Sequence, residues 1–306
     1  MLKGSNMKNN NRISDKKNLI FCLLMVAYPT IQFIVFYIFV NFNSVLLAFK
    51  TYTPGDGYSW AGFYNFEQLW YKIINVPEMQ YAFTNSFKIY AITIFVSLPL
   101  ALLFSFYIYK KAFLSGVFRV LLYIPSVISV LVICILFRYF VDEAIPELYL
   151  KITGNEMIGL LANGDTEFAM LVFFFVWTAF GANVLMYTGA MSGIDESIVE
   201  SAQLDGVGYF REFICFSIPL IWPTIVTFIV AGLAGLFMNQ FNLYSFYGAN
   251  AETYHETIGY YIYKETNSSI SKYPEVATLG IVLSTVMTPI IMLVKRLLEK
   301  FGPRVD

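Results

Sequence analysis

The sequence predicts an all-α membrane protein with about six transmembrane helices and both termini in the cytoplasm. Of its 306 residues, 58% are hydrophobic and 13% are charged, whereas soluble domains carry about 25% charged residues. The apolar residues occur in long runs, and Lys and Arg are concentrated in alternate loops between them. A soluble protein with a large apolar core is the alternative, and the length of the runs argues against it.

Six segments are long and apolar enough to cross a bilayer, which takes about 20 residues. They cover residues 19–42, 87–109, 117–140, 168–190, 218–241 and 277–298. The first could be a signal peptide, but its run is long and no A-x-A cleavage pattern follows it. We therefore expect a transmembrane domain over 19–298, with cytoplasmic tails at 1–18 and 299–306.

The orientation follows from the basic residues. With the N-terminus inside, 13 of the 20 Lys and Arg residues fall in the inside segments, which are also the shorter ones. Cytoplasmic loops carry an excess of these residues, so both termini are predicted inside.

The predicted inside loop at 191–217 is amphipathic and acidic. It contains five acidic residues and one basic residue, Arg211. The acidic residues are Asp195, Glu196, Glu200, Asp205 and Glu212. A helix lying on the bilayer surface is one interpretation. The acidic balance argues against an anionic leaflet and favours docking to a basic protein partner.

The sequence lacks the motifs of ATP binding, metal binding and enzymatic catalysis. The sequence has no G-x-x-x-x-G-K-[ST] phosphate loop, no metal-type Cys spacing among Cys22, Cys134 and Cys215, and no credible catalytic constellation. Its single histidine, His255, is expected to be a surface residue rather than a ligand. The middles of the spans lack the ionisable groups that coupled carriers keep on their pathways. These features favour a pathway for a neutral solute, with energy supplied from outside the membrane, and no nucleic-acid partner.

The inside loop resembles the E-A-A-x-x-D-G…F…L-P…P loop of ABC importer permeases. The matching residues are Glu200, Ala202, Asp205, Gly206, Phe213, Pro219 and Pro223. Ser201, Val207 and Ile218 replace the usual residues, and a proline common near Ile194 is missing. Gly206 would allow a sharp turn between two short helices, and Pro219 would set the chain as it enters the next span. In the family this loop is the coupling helix, which sits in a cleft of the ATPase, so Glu200, Ala202, Asp205, Gly206 and Pro219 are the implied coupling residues.

Further motifs resemble the maltose-F-type half of the sugar permeases. They are residues 42–49, 60–66, 83–86 and 118–125, so the resemblance covers about residues 20–300. The segments at 247–250 and 264–276 depart from the common pattern. The resemblance implies the type I ABC importer permease fold in the bacterial cytoplasmic membrane. It also implies no catalysis and no cofactor in this chain. The implied partners are a second permease subunit in a heterodimer, two ATP-binding subunits that hold ATP and Mg, and an extracellular or periplasmic solute-binding protein.

The same resemblance implies where the solute passes. The family's sugar contacts correspond here to Ser126, Val130, Phe175, Ala179, Ala182, Phe237, Asn239 and Gln240. Ser126, Asn239 and Gln240 could bind hydroxyl groups and Phe237 could cover a sugar face, while Trp177, Thr178 and Asn183 could substitute for the apolar positions. Alternatively, these polar groups join helices to one another.

Three functions remain open. The first is a sugar importer permease, and the second is a permease of the same superfamily for a polyamine or phosphate, for which charged pathway residues would be expected. The third, a membrane-anchored structural or signalling protein, is opposed by the motif at 200–206.

Overall fold

The computed structural model describes residues 4–303 and is mostly helical. The first half contains α1 (Gly4–Gln32), α2 (Val40–Leu47), β1 (Lys50–Thr53), β2 (Gly57–Trp60), α3 (Tyr64–Asn75), α4 (Pro77–Ile92), α5 (Leu98–Tyr109), α6 (Ser115–Val127), α7 (Val130–Tyr139) and α8 (Ile145–Thr153). The second half contains α9 (Gly164–Ser192), α10 (Glu196–Leu204), α11 (Tyr209–Glu212), α12 (Ile218–Leu220), α13 (Trp222–Ala234), α14 (Leu243–Tyr247), α15 (Ile258–Ser268) and α16 (Tyr273–Phe301).

Four π-helical segments join consecutive helices without breaking them. They are Phe33–Phe39, Thr93–Ser97, Phe140–Ala144 and Phe213–Ser217. Of the predicted cytoplasmic tails, residues 1–3 and 304–306 lie outside the described residues, and α1 already begins at Gly4.

Four helices in the described chain are long and apolar enough to cross a membrane: Lys16–Leu47, Pro77–Tyr109, Gly164–Ser192 and Ile270–Phe301. The other two predicted spans are bent pairs. Ser115–Val127 and Val130–Thr153 meet at 104°, and Tyr209–Leu220 and Trp222–Ala234 meet at 68°. The number of spans is therefore four, or up to six if each bent pair counts as one.

Two predicted spans need correction. The third, at 117–140, is not one helix, because the chain is extended at Ile128 and Ser129 between α6 and α7. The fifth, at 218–241, ends as a helix at Ala234, so Phe237, Asn239 and Gln240 lie in a non-helical segment. Hydropathy does not register either change, since Ile128 and Ser129 are apolar or small and the segment after Ala234 is mostly apolar apart from Asn239 and Gln240.

One compact unit consists of the described residues up to Leu69 together with Ile270–Ile281. Its hairpin pairs Lys50 with Trp60 and Thr53 with Gly57. The Asn65 side-chain amide donates to the carbonyl oxygens of Ala48 (2.8 Å) and Lys50 (2.7 Å), which fixes the start of α3 against the hairpin. Residues 48–65, which lie between the first two predicted spans, thus form a folded structure.

The second unit consists of Trp70–Ser269 and the described residues from Val282. One buried cluster joins α7, the N-terminal half of α9, α14 and α15, with Phe174, Phe241 and Tyr260 at its centre. Another joins α5, the C-terminal half of α9 and the chain around Phe213 and Ile225. The unit therefore has one apolar core near each end of α9.

Small residues bring the helices of this unit together. A Cβ on Gly181 of α9 would lie 1.9 Å from the Leu122 carbonyl oxygen of α6. Between α5 and α9, the fully buried Ser105 hydroxyl is 2.6 Å from the Ala101 carbonyl oxygen and 2.9 Å from the Val184 carbonyl oxygen. Such contacts stabilise helix pairs in a bilayer, where apolar burial alone gives little preference for helix over lipid.

Candidate coupling loop and solute cavity

The segment at 195–208 forms a short helix with a defined start and end. The Asp195 carboxylate accepts from the Ser197 backbone N–H (3.0 Å) and hydroxyl (2.8 Å), and these bonds lower the pKa of Asp195. Helix α10 ends with Gly206 at φ +75°, where its N–H donates to the Gln203 carbonyl (3.0 Å) and the Val207 N–H donates to the Ala202 carbonyl (3.1 Å). This pair of bonds is a Schellman motif, which favours glycine at the left-handed position. The turn predicted at Gly206 is therefore present.

The five implied coupling residues have different environments. Ala202 is the buried residue of α10, and Glu200, Asp205 and Gly206 are exposed. Pro219 lies in α12, just before the 68° bend at Ile221. The exposed side of the loop also carries large apolar side chains, with Leu204 88%, Tyr209 71% and Phe210 73% exposed.

Four of the predicted pathway positions line one cavity of about 270 Å³. These are Ser126, Val130, Phe175 and Ala179, and we call this space the Ser126 cavity. It lies beside the break between α6 and α7, and Asn242 forms another part of its wall. Ala182 is not among the lining residues of this cavity.

Asn239 lines a second cavity of about 190 Å³, called here the Asn239 cavity. Phe175 belongs to both linings, and its ring contacts that of Phe241 at a centroid distance of 5.6 Å. The Asn239 Oδ1 accepts from the Phe241 N–H (2.8 Å). The side-chain oxygen of Asn239 therefore already has a hydrogen-bond partner within the turn. The Nδ2–H groups of Asn239 are the donors that could bind a solute.

Phe237 and Gln240 line neither of these two cavities. The Phe237 ring is buried and meets Phe83 and Phe87 edge-on, at centroid distances of 5.4 and 5.5 Å. Its contacts are those of a packing residue in this unit. Gln240 is half-buried in the segment after α13.

A segment for which the sequence predicted only a surface histidine holds Asn239 in place. We call residues 254–259 the outer clip. Thr257 donates its hydroxyl to the Asn239 carbonyl (2.7 Å), and a Cβ on Gly259 would lie 2.5 Å from that same oxygen. The left-handed φ values of Phe241 and Asn242, both +54°, complete the turn. The wall of the Asn239 cavity is thus fixed by backbone contacts.

The outer clip also binds the middle of α4. The Asn85 amide donates to the carbonyl oxygens of Tyr254 (2.8 Å) and Glu256 (3.0 Å), and the Ser86 hydroxyl accepts from the Ile258 N–H (3.0 Å). Glu256 is buried and paired with Lys264. Burial raises the pKa of Glu256, although the Lys264 charge acts in the opposite direction.

The expectation that His255 is a surface residue is wrong. His255 is 5% exposed, its Nε2 lies 3.1 Å from Glu167 Oε2, and its ring stacks on Phe168. Burial lowers the pKa of His255, although the Glu167 and Glu252 carboxylates oppose the shift. The polar residues around His255 suggested an exposed position, because its partner Glu167 is 88 residues away in the sequence and could not be identified from it.

The fold and the loop define a membrane-embedded component of a solute transporter. Residues 94–306 match the family described as the inner membrane component of binding-protein-dependent transport systems. The chain belongs to that family, so it is a multi-pass membrane protein and a transport subunit rather than an enzyme.

Relatives and solved structures agree with this assignment. The lactose transport system permease protein LacF of Rhizobium radiobacter is 27% identical over 85% of this chain and 88% of that protein. The arabinooligosaccharides transport system permease protein AraP of Bacillus subtilis (strain 168) is 24% identical over 70% of this chain and 68% of that protein. The fold matches a chain of a bacterial ABC transporter involved in the import of the acidic polysaccharide alginate, with a TM-score of 0.78 at 19% identity over 95% of this chain and 99% of that chain. The predicted ABC importer permease fold is confirmed.

Proposed function

We propose that this chain is one permease subunit of an ATP-driven ABC importer that carries a sugar or oligosaccharide into the cytoplasm. The solute would arrive on an extracellular or periplasmic binding protein. A second, different permease would complete the pathway, and two ATP-binding subunits would hold ATP and Mg and dock on the coupling loops.

The observation that carries the proposal is the ordered but uncovered coupling loop. Glu200 lies on it, and Leu204 and Phe210 expose most of their apolar surface. Exposed apolar side chains gathered beside acidic ones suit contact with another protein better than contact with water. An ATP-binding subunit with a basic and partly apolar cleft is the partner that fits.

The two cavities support a heterodimer and a neutral solute. Their volumes, about 190 and 270 Å³, are below the roughly 300–1,000 Å³ typical of small-molecule sites. A facing subunit would complete them. None of the residues lining these two cavities is charged, which favours a sugar over the alternative, a polyamine or phosphate. The sugar transport assigned to LacF and AraP by name agrees with this choice.

Assembly and solute class can be tested together. Purification from native membranes should recover this chain with a second permease and an ATP-binding subunit. The solute-binding protein that serves this importer should bind a saccharide in a screen that also contains polyamines and phosphate. A transport-competent preparation of this chain alone, or selective binding of a charged solute, would contradict the proposal.

The pathway is tested at Asn239. Asn239→Asp keeps an acceptor for the Phe241 N–H and removes the amide donors, and Asn239→Ala removes both. Leaving solute groups unpaired costs about 1–3 kcal/mol, so uptake should fall by roughly 5- to 150-fold, since 1.4 kcal/mol is about tenfold. Gln240→Ala, one residue away and outside the cavity lining, should have a smaller effect. Normal uptake by both Asn239 variants at equal protein level would remove Asn239 from the pathway and leave it only a structural role in the turn.

A further inference from the structure

A buried ion pair joins the coupling loop to α5. Lys110 Nζ lies 2.7 Å from Glu212 Oε1, and the side chains are 14% and 2% exposed. Lys110 directly follows the last residue of α5, and Glu212 lies six residues beyond the Gly206 turn. The Phe106 and Phe213 rings pack beside this pair at a centroid distance of 5.0 Å. The base of the loop is therefore fixed to α5, while α10 itself is largely exposed.

The helix that carries Lys110 also forms a wall of the Asn239 cavity. The segment Pro77–Tyr109 is one continuous membrane-length helix. Ser86, Ile89, Tyr90 and Thr93 on it line the cavity. At 1.5 Å per residue, the 17 residues from Thr93 to Lys110 span about 26 Å. One rod thus reaches from the coupling loop to the cavity.

The rod is held at Lys110 and, within α4, at Asn85 and Ser86, and it contains a π-helical segment between these points. Asn85 and Ser86 are bound by the outer clip. The π-helical segment Thr93–Ser97 begins at the last cavity-lining residue. Such segments depart from regular helical hydrogen bonding and are frequent at functional sites. A displacement of Lys110 along the helix would therefore shift the helix where it lines the Asn239 cavity.

We propose that Lys110 and Glu212 are positioning residues that transmit movement of the coupling loop to the Ser86–Thr93 wall. The inference rests on the proposed function, since it requires an ATP-binding subunit to move the loop. It assigns to this ion pair a role in coupling beyond stabilising the fold.

The test reads the cavity directly in the assembled transporter. Cys22, Cys134 and Cys215 are replaced by serine, and Thr93→Cys is labelled with a small maleimide, with and without Mg-ATP and orthovanadate. We expect nucleotide to change the labelling rate by about 5-fold or more, the lower end of typical coupling between sites. In Glu212→Gln and Lys110→Met this dependence should disappear, while the ATP-binding subunit still copurifies.

Matched variants separate coupling from folding. The exchange of Lys110→Glu with Glu212→Lys and the conservative Lys110→Arg should both restore nucleotide dependence. Glu147→Gln should not alter it, because the Glu147–Lys151 pair has an N–O distance of 2.6 Å but side chains more than 60% exposed. If Glu212→Gln fails to fold, Glu212→Asp keeps the charge with a shorter reach and should weaken the dependence.

Two results would overturn the inference in different ways. Full nucleotide dependence in folded Glu212→Gln and Lys110→Met complexes would show that the pair only stabilises the chain. A parent complex from which no ATP-binding subunit copurifies would refute the proposed function, and the inference with it, before any variant is compared.

Discussion

Gly206 gives the coupling loop a backbone conformation that other residues adopt only with strain. Its φ is +75°, and no atom lies within 4 Å of a built Cβ, so the cost of a side chain there is conformational rather than steric. We expect Gly206→Val to cost about 1–2 kcal/mol locally and to displace the end of α10. Uptake and copurification of the ATP-binding subunit should both fall, while the amount of chain in the membrane stays unchanged.

Gly208 provides the control for this prediction. Its φ is not left-handed and a Cβ there would meet nothing within 4 Å, so Gly208→Ala should transport normally. Glu200→Lys reverses a charge on the same exposed loop and should also reduce uptake. If Gly206→Val and Glu200→Lys both retain solute-stimulated ATP hydrolysis, the assignment of the loop is wrong.

Gly181 tests the packing of α6 against α9. A Cβ there would overlap the Leu122 carbonyl, so Gly181→Ala requires the two helices to separate. Overpacking of this kind costs about 1–3 kcal/mol, and thermal unfolding of the purified complex should shift to lower temperature. Gly189→Ala, on the same helix with open space around its Cβ, should leave the unfolding temperature unchanged or raise it. Equal unfolding temperatures for the two variants would contradict the close approach.

Individual residues show how far the sequence could lead. The turn at Gly206 was predictable because its determinants are local and appear as a motif. The burial of His255 was not, because its partner Glu167 is distant in the chain. The Lys110–Glu212 ion pair could not be predicted from the sequence, since a charged residue at the end of a span usually indicates a solvated position.

Among the structural elements, the outer clip contains the one histidine of the chain, and it should respond to pH. Burial favours neutral His255, so its pKa in the folded chain is below the unfolded value of about 6.5. Neutral His255 therefore contributes its full stabilisation when the pH is above the unfolded pKa of about 6.5. This stabilisation is lost as the pH falls through the lower, folded pKa. The carboxylates that oppose this shift are Glu167 on α9 and Glu252, three residues before His255.

The measurement is the unfolding temperature at a series of pH values. The parent should lose stability relative to His255→Gln as the pH falls from about 7.5 to below 6. Since the sequence has a single histidine, the difference between the two chains reports this site. A difference that stays constant over the range would show that the His255–Glu167 contact is not sensitive to protonation.

At the scale of elements, the apolar runs predicted the membrane helices because helix length is set by bilayer thickness. They did not predict the break at Ile128 and Ser129 or the end of α13 at Ala234. Both depend on contacts made elsewhere. Gly181 brings α9 against the end of α6, and Thr257 with Gly259 fixes the chain after α13. Two predicted pathway residues, Ser126 and Asn239, thereby reach cavity walls.

For the whole molecule, the orientation in the membrane remains a prediction from the basic residues. In a cysteine-free background, Gly208→Cys on the coupling loop should be protected from a membrane-impermeant maleimide in intact cells and react after lysis. Asn155→Cys, beyond α8, should react in intact cells if the bent pair of α6 and α7–α8 crosses the bilayer. Protection of Asn155→Cys would instead indicate a re-entrant pair, and labelling of Gly208→Cys from outside would reverse the orientation.

The break between α6 and α7 has a consequence for permeability. The last carbonyl groups of α6 and the first N–H groups of α7 lack intrahelical partners, and hydrocarbon cannot supply any. Once the chain is in a bilayer, these groups need partners from neighbouring protein or from water, and the Ser126 cavity beside Ile128 and Ser129 provides a space that water can enter. If water fills that space, the cavity would leak ions whenever it opened to both sides of the membrane, so the seal that keeps the cell's ion gradients intact has to lie elsewhere along the pathway.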